Sequence, residues 1–163
     1  MKESIGSTQI FVIVVFMIFL FSGIMALTMN RSNSYAIKDE IVSIIERNGG
    51  LDLEAEVPVS GGLTGDGIVI QEIVDTINHL SYRQTGKCPV LPHSEGEVQG
   101  YTRGGQKTNG QAAFCITKLN GTKDNGTTKS YYYQVIVFYK LDLPILRNVF
   151  IFKSIGETKP LYS

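Results

Sequence analysis

The chain has 163 residues and carries 15 Lys and Arg side chains against 15 Asp and Glu side chains. This balance creates no basic surface field, so we expect no nucleic-acid partner. The charges are unevenly placed, because residues 10–27 read IFVIVVFMIFLFSGIMAL without one charged side chain. Before Asn30 the only charged side chains are those of Lys2 and Glu3. An apolar segment of this length excludes a freely soluble cytosolic enzyme as the default class of protein.

The apolar segment predicts a transmembrane helix at residues 10–29, because about 20 apolar residues span the hydrocarbon core of a bilayer. A cleaved secretory signal is the alternative, but its apolar core would be about 7–15 residues long and would end in a small-x-small site. Here the segment continues to Leu27, and a cut after Ala26 would put Ile24 where a small residue belongs. We therefore predict a retained anchor, with residues 1–9 as a cytoplasmic tail or leader.

An amphipathic helix pattern continues directly from the span, because no Pro or Gly interrupts residues 30–48. Four isoleucines recur at helical spacing and form one apolar stripe: Ile37, Ile41, Ile44 and Ile45. We predict one helix from about Ile10 to Asn48, ended by Gly49 and Gly50. The poor helix formers at residues 30–34 could kink or break it.

The topology of the chain rests on opposing signals. The Lys and Arg count is higher after the span (Arg31, Lys38, Arg47) than before it (Lys2), which would place the C-terminal domain in the cytoplasm. That rule weakens for long translocated domains. The short tail, two cysteines and a body rich in Gly, Asn, Thr and Tyr favour export. We predict a single-pass cell-membrane protein whose domain at residues 49–163 is extracytoplasmic.

The first part of this domain combines loops and one helix. Residues 51–67 are rich in glycine and include Pro58, which indicates an irregular connection. A second amphipathic helix is predicted next, with Asp66 near its start and apolar positions Ile68, Ile70, Ile73, Val74, Ile77 and Leu80. Residues 92–110 are polar and rich in glycine, and predict a mobile loop or a hairpin with little to bury.

The last third predicts three strands: Gln111–Leu119, Ser130–Leu143, which is stopped by Pro144, and Asn148–Ile155. Short links predict an antiparallel meander after two helices, and hence an α+β fold with a small C-terminal sheet of three or more strands. In the second strand, alternation puts Tyr131 and Tyr133 on one face with Val135, Val137 and Tyr139. We expect a central strand with one face on the helices and the other half covered, and keep an adhesive aromatic face as the alternative.

Two cysteines, Cys88 and Cys115, predict one disulfide, with two unpaired thiols as the alternative. They could form a zinc site with His79 and His93, but close ligand pairs such as CxxC are missing. Nothing marks either cysteine as a nucleophile, because no oxyanion turn or orienting acid accompanies it. Residues 100–108 (GYTRGGQKT) look like a phosphate loop, but Gln106 separates the second glycine from Lys and Thr. We therefore predict no catalytic site, no metal and no cofactor.

A family resemblance emerges from three segments: residues 6–12 (GSTQIFV), residues 38–50 (KDEIVSIIERNGG) and residues 156–159 (GETK) in the closing strand. With the short tail and the small C-terminal sheet, they resemble type IV pilin-like proteins, and among these the TadE/TadF-like minor pilins of tight-adherence systems. Pilin precursors are cut after a glycine, so the resemblance implies leader cleavage at Gly6. It also implies a role in pilus or secretion assembly without a catalytic site.

The predicted function is therefore that of a membrane-anchored structural component, and a membrane-anchored binding module of unknown ligand is the alternative. The expected partners are the lipid bilayer and other pilin-like or secretion-system membrane proteins, including copies of the chain itself. Neighbouring helices could pack closely at Ser22 and Gly23, because small residues let transmembrane helices approach.

Overall fold

A computed structural model describes residues 2–53, 66–90, 96–121, 123–124, 127–128, 130–140 and 151–162. Two helices occur in these ranges, α1 (Lys2–Arg47) and α2 (Asp66–His79). The strands are β1 (Gly86–Lys87), β2 (Gly96–Tyr101), β3 (Lys107–Thr108), β4 (Gln111–Ala112), β5 (Phe114–Asn120), β6 (Lys123–Asp124), β7 (Thr127–Thr128), β8 (Ser130–Lys140), β9 (Ile151–Glu157) and β10 (Leu161–Tyr162).

Six of these strands form one antiparallel sheet in the order β3-β2-β5-β8, with β9 and β10 both on the far edge of β8. Phe114 of β5 lies opposite Val137 of β8, and Asn120 lies opposite Tyr131. The described strands thus include the predicted meander, β5-β8-β9, and the α+β layout is confirmed in outline. The sheet has six strands where three or more were predicted, and β1-β4 and β6-β7 form separate two-residue pairs.

The main core lies between the two helices and one face of the sheet. The predicted stripe of α1 is confirmed, because all four of its isoleucines are buried. From the sheet, the residues that face this core alternate along the strands: Tyr101, Phe114, Ile116, Tyr133, Val135 and Val137. A smaller cluster covers the opposite face, made by Ala112, Cys115, Ile136 and Phe138. Strand β8 is therefore central and covered on both faces from Val135 to Phe138, as expected from its alternation.

Both helices differ from the prediction at their ends. Helix α1 begins at Lys2 rather than Ile10, so the predicted tail is helical from its second residue. In α2, Ile68 is exposed although its spacing predicted burial, while Val69 is buried. Ile68 lies about 160° around the helix from the buried Ile70, which turns it away from the core. Leu80 is also exposed, because α2 ends one residue before it.

The prediction of a loop with little to bury at residues 92–110 is wrong for residues 96–110, where its hairpin alternative holds, while residues 92–95 lie outside the described residues. Strand β2 lies inside the sheet and pairs with β3 on one side and β5 on the other. Tyr101 is completely buried and stacks on Phe114, with 5.2 Å between ring centroids. At Gly100, a Cβ atom would lie 2.8 Å from Cys88 Sγ and 2.7 Å from Thr108 O. This glycine therefore reflects close packing rather than a loop.

Strand bounds also shift. The predicted strand Gln111–Leu119 is split into β4 and β5 at Ala113, whose N–H donates to Tyr101 O at 2.8 Å. The other two predicted strands correspond to β8 and β9, and β9 extends past Ile155 to Glu157. Residues 141–150, which include the predicted stop at Pro144 and the predicted start at Asn148, lie outside the described residues, as does Pro58.

Candidate functional site: the two halves of the long helix

The lower half of α1, residues 10–29, presents apolar side chains that the rest of the fold does not cover. Fourteen large ones are exposed: Ile10, Phe11, Val12, Ile13, Val14, Phe16, Met17, Ile18, Phe19, Leu20, Phe21, Ile24, Met25 and Met29. Among the described residues, this is the one helix long and apolar enough to cross a membrane. An exposed apolar patch of this kind marks a contact with lipid or with other proteins.

Residues 30–34, where the sequence allowed a kink, continue the helix without a break. Two side-chain hydroxyls in or just before this segment donate to the preceding turn, Thr28 Oγ1 to Ile24 O at 2.9 Å and Ser34 Oγ to Asn30 O at 3.0 Å. These bonds satisfy groups that would otherwise favour a non-helical backbone. Arg31 adds a further link one turn apart, because its Nη2 donates to the Tyr35 hydroxyl at 3.0 Å. That hydrogen bond raises the pKa of Arg31.

The upper half of α1, from Ser34 to Arg47, lies in the core of the head domain, a name we use for residues 34–162. Ser34 is fully buried, and its hydroxyl also lies 3.4 Å from Phe138 O in β8. Further along, Gly156 of β9 rests against the aliphatic stem of Lys38, where a Cβ atom would lie 2.8 Å from Lys38 Cδ. The sheet therefore runs alongside the helix and is attached to it by polar and apolar contacts.

The end of α1 is closed by a Schellman motif, as the two glycines predicted. Gly49 N donates to Glu46 O at 3.2 Å and Gly50 N donates to Ile45 O at 3.0 Å. Gly49 has a φ of 72°, a left-handed conformation that glycine adopts at little cost.

Two polar contacts attach the last turn of α1 to the rest of the head domain. Arg47 forms an ion pair with Glu72 of α2, and Lys159 N donates a hydrogen bond to Glu46 Oε1 at 2.7 Å.

Buried tyrosine hydroxyls join the helices, loops and sheet. The Tyr82 hydroxyl donates to Phe138 O and accepts from Phe138 N, both at 2.7 Å. The Tyr133 hydroxyl does the same with Leu51, at 2.6 Å to the carbonyl oxygen and 3.0 Å from the amide. Burial raises the pKa of Tyr82 far above its ordinary value. Sequence reasoning missed Tyr82, because a lone tyrosine after a helix carries no periodic signal.

The residues singled out in the sequence lie in separate places. Gly6, Ser22 and Gly23 all lie on α1, and Ser22 is exposed while Gly23 is half-buried. The predicted disulfide is present, joining Cys88 to Cys115 of β5 on the outer face of the sheet. It bridges 27 positions of sequence and ties the segment after α2 to the sheet.

The segment that looked like a phosphate loop forms a β-hairpin. Thr102 N donates to Gln106 O at 2.8 Å, which closes the turn between β2 and β3. Lys107 and Thr108 therefore belong to a strand rather than to a helix N-terminus, where a phosphate would bind. His79 is the last residue of α2, and His93 lies outside the described residues. Within the described residues, no three His, Cys, Asp or Glu residues are grouped so that they could hold a metal ion.

Comparison with known proteins adds no relative. No family model matches this chain, and no curated protein and no solved structure is significantly similar to it. The resemblance to pilin-like proteins therefore stays a prediction.

Proposed function

We propose that this protein is a single-pass membrane-anchored structural component of a type IV or tight-adherence pilus or a related secretion apparatus. The observation that carries the proposal is the single unbroken helix α1. Its lower half is exposed and apolar on all sides, and its upper half belongs to the core of a small α+β domain. A helix of this kind supports both anchoring in lipid and lateral packing against similar helices.

The apolar side chains of the lower half of α1 favour an environment other than water. Burying one large apolar side chain is worth about 1.5–3 kcal/mol, so fourteen exposed ones represent a driving force of more than roughly 20 kcal/mol. A bilayer provides this environment directly. Within the bilayer, neighbouring helices compete with lipid only through close packing, which is where Ser22 and Gly23 would act.

The head domain is proposed to be extracytoplasmic. The disulfide between Cys88 and Cys115 supports this side, because disulfides form and persist in oxidising compartments. Protease added to intact cells or spheroplasts should remove the head domain. Digestion that begins only after lysis would contradict this topology while leaving the anchor intact.

Assembly through α1 can be tested with a single added cysteine, because both native cysteines described are paired. Ser22→Cys in the full chain should form an intermolecular disulfide on mild oxidation in the native membrane. Leu20→Cys is the matched control, since it is exposed and lies about 160° around the helix. Equal crosslinking at both positions would show contact without a specific face.

The same face can be tested for function with Gly23→Leu, which should abolish incorporation into filaments or complexes while the disulfide-bonded head domain stays folded. The partners captured by Ser22→Cys are then identified by mass spectrometry. Copies of this chain or other single-span proteins of the same layout support a structural role. Monomers at every expression level would contradict the assembly role.

A membrane-anchored binding module is the second candidate, favoured by a concavity of about 450 Å³ beside the disulfide. Its lining includes Cys88, Val90, Glu97, Val98 and Asn109. A binding module would tolerate Gly23→Leu but would lose ligand binding when this concavity is filled. Val98→Trp is the discriminating variant, since it enlarges a side chain of the lining and is remote in sequence from α1.

A further inference from the structure

The lower edge of the sheet can be placed relative to α1 by three contacts. Lys159 N bonds to Glu46 near the top of the helix, Gly156 rests on Lys38 lower down, and Phe138 O lies 3.4 Å from Ser34 Oγ lower still. Strands β8 and β9 therefore run along the helix, and the end of β8 and the start of β9 point toward the apolar lower half of α1.

This edge reaches the level at which the apolar span ends. Lys140, the last residue of β8, pairs with Ile151 and lies two residues beyond Phe138. Two strand residues extend about 7 Å, which corresponds to four or five residues along a helix at about 1.5 Å each. Ile151 is therefore level with about Asn30, directly above the apolar segment that ends at Leu27.

The side chains found there have a distinctive composition. We call Arg31, Tyr35, Tyr139, Ile151 and Phe152 the membrane-proximal edge. The rings of Tyr139 and Phe152 stack with 5.1 Å between centroids, and Arg31 lies over the Tyr35 ring. Ile151 is 46% exposed and Phe152 38% exposed, although both are large and apolar. Aromatic and basic side chains together are typical of the boundary between lipid chains and headgroups.

We propose that the membrane-proximal edge docks on the bilayer surface, with Ile151 and Phe152 inserted at the boundary of the lipid chains and Arg31 bound to phospholipid phosphate. The proposal rests on the anchor of the proposed function. The headgroup layer is about 5–7 Å thick on each side of the hydrocarbon core, and Arg31 lies two residues, about 3 Å, beyond Met29, where the predicted span ends. Arg31 thus lies inside the headgroup layer.

Docking of the membrane-proximal edge would hold the head domain in one orientation on the membrane, instead of leaving it to tilt about the helix.

The absence of tryptophan from the sequence provides a direct test. The full chain is reconstituted in vesicles that contain lipids brominated at shallow or deep positions of the acyl chains, which quench nearby tryptophan. Phe152→Trp reports on the edge, and Phe16→Trp reports on the span. Tyr162→Trp is the matched control, because Tyr162 is exposed in β10, which pairs with the opposite end of β8.

With docking, Phe152→Trp should lose roughly half of its emission to shallow bromines, because interfacial side chains reach about 5–10 Å into the boundary. Tyr162→Trp should lose none. If Phe16→Trp is quenched but Phe152→Trp behaves as Tyr162→Trp, docking is overturned and the anchor stands. If Phe16→Trp is not quenched, the anchor fails and both proposals fall.

Two further readouts complete the design. If the emission of Phe152→Trp changes with the amount of protein per vesicle and does not respond to brominated lipid, a second copy of the chain covers the edge. That result would overturn the proposal. Should Phe152→Trp not fold, the neighbouring Ile151→Trp replaces it, with the same expected quenching. Arg31→Gln should reduce the shallow quenching when the vesicles contain anionic phospholipid.

Discussion

The two halves of α1 are both rich in apolar residues but differ in how these residues are arranged. In the lower half, residues such as Phe16, Ile18 and Phe19 point in all directions and are all exposed. In the upper half, the apolar residues form one stripe that faces the sheet, and burial begins at Ser34. An all-round apolar surface suits a surrounding solvent such as lipid, whereas a stripe suits a single partner surface. One continuous helix can therefore join two environments without a hinge.

The sharpest way to test this difference is to make the same substitution in both halves. Ile41→Ala, in the stripe, should lower the free energy of unfolding of the head domain by about 2–5 kcal/mol, because Ile41 is completely buried. Ile18→Ala, in the span, should leave head stability unchanged. Denaturant unfolding of the full chain in detergent, followed by near-ultraviolet circular dichroism, measures both. Equal effects would mean that the two halves do not differ as described.

A second prediction concerns the face of the sheet opposite the helix. Replacing Cys88 and Cys115 together by Ser should cost about 3.5 kcal/mol, as expected for opening a loop of 27 positions. Thr117→Val in β5 is the matched control, since the buried Thr117 hydroxyl has no hydrogen-bond partner among the described residues. Thermal unfolding compares the variants. Free-thiol labelling of the unfolded, unreduced wild type should find none, and two labelled thiols would contradict the disulfide.

The sequence predicted those parts of the fold that depend on local periodicity. The stripe of α1, four of the buried positions of α2 and the alternating faces of β8 follow from side-chain spacing, which is set by helix and strand geometry. The end of α1 at Gly49 and Gly50 could also be predicted from local sequence, because a Schellman motif requires a left-handed residue at a fixed position. In the candidate site, the apolar lower half of α1 was evident from composition.

What could not be predicted depends on contacts distant in sequence. Strand β2 reads as a loop because it contains Gly96 and Gly100, yet it pairs with β5 along its whole length. Gly100 is there because Cys88 approaches it, and that approach is set by a disulfide to another strand. Similarly, the level of Ile151 relative to α1 follows from three separate helix–sheet contacts. No local pattern contains this information.

The third prediction tests how the segment that follows α2 is connected to β8. Tyr82→Phe should destabilise the head domain by about 1–3 kcal/mol, because it removes a hydroxyl that bonds both the N–H and the carbonyl oxygen of Phe138. Tyr162→Phe, in an exposed position, should have no effect. An unchanged unfolding midpoint in Tyr82→Phe would mean that water satisfies Phe138 equally well.

Tyr82 also predicts a dependence on pH. Burial raises its pKa in the folded state, so the neutral hydroxyl is favoured by folding. This contribution is complete below pH 10, the ordinary value, and is lost as the pH rises further, because the unfolded chain then releases the proton. The loss should reach about 1.4 kcal/mol per pH unit. Above pH 10, the free energy of unfolding should therefore fall less steeply with pH in Tyr82→Phe than in the wild type.

The smallest expected effect compares the ends of the two helices. Helix α2 ends in the same motif as α1, because Ser81 N donates to Asn78 O and Tyr82 N donates to Ile77 O, both at 3.0 Å. Its left-handed position, however, is occupied by Ser81, with a φ of 53°. A non-glycine residue there has a conformational cost, so Ser81→Gly should stabilise the head domain by about 0.5–1 kcal/mol.

Gly49→Ala is the reciprocal variant at the end of α1. No heavy atom lies within 4 Å of the position that its Cβ would take, so only the positive φ opposes the substitution. We expect it to cost about 1 kcal/mol, opposite in sign to Ser81→Gly. Both are measured as shifts of the unfolding midpoint of the full chain in detergent. Destabilisation by Ser81→Gly would show that the serine side chain contributes more to the free energy of unfolding than its left-handed backbone conformation costs. The two helix ends would then be stabilised in different ways.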